Sequence, residues 1–130
     1  MGIKVAMELI KEKPIAEQRL FQAIIVQALE DVMNPSAFKK ETYYKEDAYK
    51  WFYNNSQDFQ DVCWAAEMDP ELIRGEFLKL LSNKKIEFNN LQSHWLRYRE
   101  LYRLYREAGT KEERREIKKR IDRENKRYIA

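Results

Sequence analysis

Apolar residues recur at three- and four-residue steps along most of the chain, the period of helices that bury one face. Leu20, Phe21, Ile24, Ile25, Ala28, Leu29 and Val32 mark a core helix from about Ile15 to Met33. Pro14 suits its first turn, after the polar break Lys11-Glu12-Lys13, and Asn34-Pro35-Ser36 ends it. Residues 36–45 are polar, with Phe38, Tyr43 and Tyr44, and read as a loop or a short helix. Ala48, Trp51 and Phe52 stripe a short helix from about Lys45 to Tyr53. Asn54-Asn55 breaks it, and Ser56 is placed to cap the next helix.

Phe59, Val62, Cys63 and Ala66 form the inward face of a helix from about Gln57 to Glu67. A tight turn at Met68-Asp69 follows. Asp69 then suits an N-cap, Pro70 the first helical position and Glu71 the helix dipole. Leu72, Ile73, Phe77, Leu80 and Leu81 carry this helix to about Leu81, and 82–85 closes it. In the last third, Leu91, Trp95, Tyr98, Leu101, Tyr102 and Tyr105 share one face. Gly109 is a stop signal, and Thr110-Lys111-Glu112-Glu113 is a capping box that opens a final helix. Ile117, Ile121 and Tyr128 give that helix a thin apolar stripe, so it must fold back or pack on a partner. The expected fold is all-α. It divides into a helical core over 1–85 and a basic helical hairpin over 86–130, packed on the core or on a partner.

Composition narrows the function classes. Only three Gly and three Pro occur in 130 residues, which disfavours turn-rich sandwiches and barrels. One cysteine allows no internal disulfide, and one His with one Cys cannot build a zinc site. Neither a cofactor nor a metal is expected. The apolar start, Met1 to Ile10, is interrupted by Lys4 and Glu8 and reads neither as a leader nor as a membrane span. Glycine-rich phosphate loops are missing too. The expected setting is the cytoplasm.

The unit over 57–81 has the dimensions of a helix-turn-helix. Cys63 or Ala66 supplies the small residue where the helices cross, Met68 the apolar plug and Ile73 the residue facing back. A plain helical hairpin is the alternative. Its second helix offers Glu71, Arg74, Glu76 and Lys79 to solvent, two acids against two bases. The segment Leu20 to Asp31, Ala48-x-x-Trp51, and Asp58-Phe59-x-x-Val62-Cys63-x-x-Ala66-x-x-Asp69-Pro70-x-x-Ile73-Arg74 together resemble a group of small phage and prophage proteins. The resemblance covers about residues 18–81, and it implies a helix-turn-helix DNA-binding protein. The chain departs from the pattern at Glu67, where that group favours Gly.

Charge places the expected partner elsewhere. Thirteen Lys and Arg face seven Asp and Glu from Arg97 to Ala130, a net of +6, while residues 1–96 carry −3. Arg99, Arg103 and Arg106 fall on one stripe beside Tyr98, Tyr102 and Tyr105. Arginine fits phosphate bidentately and tyrosine stacks on bases. The bland alternative is a solvated, ion-paired helix with tyrosines in its seam. Candidate DNA contacts are Arg74, Lys79, Arg99, Arg103, Arg106, Arg115, Lys118 and Lys119. Candidate interface residues are Trp95, Tyr98, Tyr102 and Tyr105. His94 and Cys63 read as structural, and no acid–base pair stands out, so catalysis is not expected. The expected function is that of a small phage or mobile-element DNA-binding protein acting as a transcriptional regulator. The alternative is an interaction protein, either a phage packaging subunit or a modulator of a host protein, acting as an oligomer or on a partner through its last helices.

Overall fold

The computed structural model describes the chain from Pro14 to Ile129, with side chains over residues 16–127. The expectations placed on residues 1–13, and on the side chain of Tyr128, lie outside the described residues. Six helices and no strand occur among those residues, so the fold is all-α. The helices are α1 (Pro14–Met33), α2 (Lys39–Tyr53), α3 (Gln57–Ala65), α4 (Pro70–Ser82), α5 (Asn90–Glu107) and α6 (Lys111–Ile129).

Local chemistry sets most of the boundaries. Ser56 Oγ accepts from the Phe59 N–H at 3.2 Å, and Asp69 Oδ1 accepts from the Glu71 N–H at 2.9 Å, with Pro70 opening α4. Each cap satisfies a backbone donor that the first helical turn leaves without a partner. At the other ends, Asn55, Glu67 and Lys84 adopt positive φ of 49°, 56° and 59°. After α3, Met68 N–H reaches Cys63 O at 2.9 Å and Glu67 N–H reaches Trp64 O at 3.0 Å, a complete Schellman closure around Glu67. The same pattern closes α4, from Lys85 to Leu80 O and from Lys84 to Leu81 O. Gly109 is not the left-handed stop its position suggests. No glycine among the described residues has positive φ, and α5 ends because Ala108 turns extended at ψ 131°. Thr110 Oγ1 caps α6 through the Glu113 N–H, and the Glu113 carboxylate accepts from the Gly109 N–H.

The helix α2 begins at Lys39, six residues earlier than its apolar stripe suggests. Thr42 bonds back to Phe38 O through both its N–H and its hydroxyl at 2.9 Å. The buried positions of this first half are Thr42 and Lys45, which a hydrophobic pattern does not reveal.

Two compact units divide the chain. Among the described residues, the first comprises 14–34 and 47–87. Its core holds Phe21, Ile25, Val32, Phe52, Phe59, Val62, Cys63, Ala66, Phe77 and Ile86. Phe52 stacks on Phe77 at 5.0 Å and meets Phe59 edge-on at 5.7 Å, and all three rings are fully buried. Each such burial contributes on the order of 2 kcal/mol. Trp51 lies edge-on to Phe59 and donates to Asp58 Oδ2 at 2.7 Å. Among the described residues of α1, Phe21, Ile25 and Val32 are buried, and Ala28 and Leu29 pack against the same core half-buried. Leu20 and Ile24 are exposed, so the covered face is narrower than the sequence stripe.

The second unit comprises residues 35–46 and 88–129. The helices α5 and α6 pack along each other, with Leu101 and Ile121 buried and Ile117 half-buried. Residues 35–46 thus group with the last two helices. Polar bonds explain this. Asn89, Gln92 and Trp95 donate to the carbonyls of Pro35, Ser36 and Ala37, each at 3.0 Å. Buried Lys45 donates to Gln92 Oε1 at 3.0 Å.

Candidate nucleic-acid interface

Asn89 and Gln92 form a reciprocal capping box at the start of α5, at 2.8 and 3.0 Å, which fixes the helix's rotation. The same Gln92 is fully buried and holds Ser36 and Lys45. These bonds set the first half of α2 beside α5.

Between them runs a groove of about 470 Å³ lined by Lys39, Tyr43, Tyr98, Arg99, Tyr102 and Arg106. Three cations and three phenols line it, with no carboxylate. Lys39 Nζ lies 5.1 Å from the Tyr98 ring centre and 5.7 Å from that of Trp95. The Arg99 guanidinium sits 4.7 Å over Tyr43, and its Nη1 is 3.7 Å from Glu46 Oε1. Tyr98 and Tyr102 are 4.7 Å apart. Burial raises the Tyr43 pKa above the usual phenol value, with Arg99 opposing it. The hydrogen bond with Tyr98 raises that of Tyr102. Both phenols therefore stay neutral at physiological pH, and the lining keeps only positive charge.

The expected arginine stripe is split. Arg99 and Arg106 line the groove. Arg103 is gripped by Glu100 and by Glu107, the latter at 2.7 Å, and these acids raise its pKa, the Glu100 hydrogen bond foremost. Acids at i−3 and i+4 were the available signal for this. The sequence reading missed Lys39 and Tyr43, whose i, i+4 spacing on a helix is the corresponding clue. Trp95 sits beneath Lys39, tied to Ala37 O, and Tyr105 is half-buried beside Tyr102 at 6.4 Å. On α6, Arg115 and Lys118 are exposed, Lys119 pairs with Glu116 at 3.4 Å, and Lys118 acts electrostatically on Tyr102.

The other two candidates lie in the first unit. Arg74 donates from Nη2 to Tyr53 O at 3.0 Å and lies 5.9 Å over the Tyr53 ring. It closes the C-terminus of α2, where a cation opposes the helix dipole. Lys79 is exposed and pairs with Glu76 at 3.3 Å. The exposed face of α4 thus offers Glu71, Leu72 and a Glu76–Lys79 pair.

Among the described residues no three His, Cys, Asp or Glu gather as a metal would require, and no helix is long and apolar enough to cross a membrane. Cys63 is fully buried, and burial, with Asp69 adding, pushes its thiol up to about 11. A thiol held protonated is a packing residue and a poor nucleophile. His94 is buried against Glu124, Nδ1 to Oε1 at 3.1 Å. No family model, curated protein or solved structure matches the chain.

Proposed function

We propose that the protein binds nucleic acid without catalysis, as a DNA-binding regulator of the phage or mobile-element type. The observation that carries this reading is the groove of Lys39, Arg99 and Arg106 with the three tyrosines Tyr43, Tyr98 and Tyr102. Cations beside aromatic faces suit a polyanion whose bases also stack. The charge distribution supports it. The second unit carries sixteen Lys and Arg against nine Asp and Glu, and the rest of the sequence nine against thirteen. Phosphate contact is therefore assigned to the second unit. The α3–turn–α4 unit, which resembles a helix-turn-helix, presents an acidic and apolar face and takes a lesser part.

Titration of duplex DNA at two salt concentrations tests the proposal. The double variant Lys39→Ala/Arg106→Ala should weaken binding and reduce the slope of log affinity against log salt by about 2, near 0.9 for each phosphate that is no longer neutralised. Arg74→Ala should leave the slope unchanged. Undetectable binding at low salt would overturn the reading. A second reading, a packaging subunit or host-protein modulator, is favoured by one observation: Trp64 and Leu72 stand 61% and 70% exposed on the α3–α4 unit. Light scattering isolates the packaging subunit, which forms a ring-sized oligomer, whereas a monomer or dimer is common to the regulator and the modulator, and the DNA titration separates those.

A further inference from the structure

A second groove lies between α5 and α6 and shares no residue with the first. It has a volume of about 720 Å³. Leu96, Leu101 and Leu104 contribute aliphatic surface, and Arg97, Arg120, Arg123 and Arg127 line it with Glu100 and Glu124. Both glutamates are engaged within the unit. Glu100 grips Arg103, and Glu124 accepts from Arg97 Nε at 2.8 Å and meets His94. The side chains of Arg120, Arg123 and Arg127 make no hydrogen bond or ion pair among the described residues. Their spacing of i, i+3, i+7 puts them on one stripe of α6.

We propose that the α5–α6 groove is a docking site for an acidic amphipathic helix of a protein partner, its apolar face on Leu96 and Leu104 and its carboxylates on Arg120, Arg123 and Arg127. Two helices packed side by side leave a trough that a third helix fills, the helix-in-groove mode of recognition. The leucines select against nucleic acid, whose phosphate backbone offers no aliphatic surface to match them. The arginines select against a second copy of this unit, because self-association would set one arginine rim against another. What remains complementary is a helix with leucines on one side and Asp or Glu flanking them. The proposal does not depend on nucleic-acid binding.

Fluorescence anisotropy with the full chain and three labelled peptides tests it. Each peptide has the eighteen-residue length of α5. One carries a leucine stripe flanked by glutamates, one has glutamine for every glutamate, and one keeps the glutamates with alanine for every leucine. The acidic leucine peptide should bind, and both others should bind at least about tenfold more weakly, since charge and apolar contact are both required. The variant Arg120→Gln/Arg123→Gln/Arg127→Gln, its helix content checked by circular dichroism, should lose the preference for the glutamate peptide over the glutamine one. Lys39→Ala/Arg106→Ala should keep it. Equal binding of the acidic peptides with and without leucines would reveal simple anion attraction and overturn the proposal. So would failure of all three to bind, or an unchanged preference in the arginine variant.

Discussion

Glu67 holds φ at 56° in the turn between α3 and α4, a conformation that costs a residue with a Cβ about 1 kcal/mol or more. Gly75 stands inside α4, where a Cβ would meet nothing within 4 Å. The two positions hold the wrong residue types for stability alone. Glu67→Gly should raise stability by about 0.5 kcal/mol, and Gly75→Ala by about 0.5–1 kcal/mol, read as a higher urea midpoint at constant slope. A second residue-scale expectation concerns Glu124. Burial alone would raise its pKa, but hydrogen bonds from Arg97 and His94 outweigh that and hold it below the usual carboxylate value. The unfolded chain therefore binds the proton more tightly. The stabilisation is present above the unfolded-state pKa and is lost as pH falls through the lower, folded one. Glu124→Gln should lose the acid-side slope of stability against pH that the native chain shows over that window.

At the scale of elements, the starts of α3, α4 and α6 were legible because their chemistry is local. Ser56, Asp69-Pro70 and Thr110-x-x-Glu113 act within three or four residues, and a reader of sequence can see both partners at once. The first half of α2 was not legible as part of the tail. Its attachment runs through Gln92 and Trp95 to carbonyls more than fifty residues away, and a backbone carbonyl has no residue signature. The candidate groove was half legible for the same reason. Arg99, Arg106, Tyr98 and Tyr102 announce themselves on one helix, whereas Lys39 and Tyr43 arrive only through that attachment. Gln92 is thus the element-scale hinge of the site. Gln92→Ala should cost about 2–3 kcal/mol, the sum of broken buried hydrogen bonds and a small cavity. It should also weaken DNA binding by displacing Lys39, although Gln92 itself is fully buried. A thermal melt paired with the DNA titration checks both effects.

At the scale of the molecule, the chain passes from the first unit to the second at residue 35, back at 47, and over again at 88. The net charge of +3 is what remains of a basic second unit and an acidic remainder of the sequence. Stability should be partitioned along the same lines and not along the sequence, because cooperative opening follows packed contacts. Leu101 is buried in the second unit, and Leu101→Ala should cost about 2–5 kcal/mol there. Hydrogen exchange should then accelerate over 88–127 and, in step, over 39–46, whose burial depends on α5. Amides of α1 and of 57–82 should change little. The informative stretch is α2, one uninterrupted helix from Lys39 to Tyr53 whose two halves belong to different units. Faster exchange up to about Glu46, with protection retained beyond Ala48, would mark the boundary within a single helix. Uniform acceleration along the whole of α2 would show that helix propagation, and not the packing of each half, governs its opening.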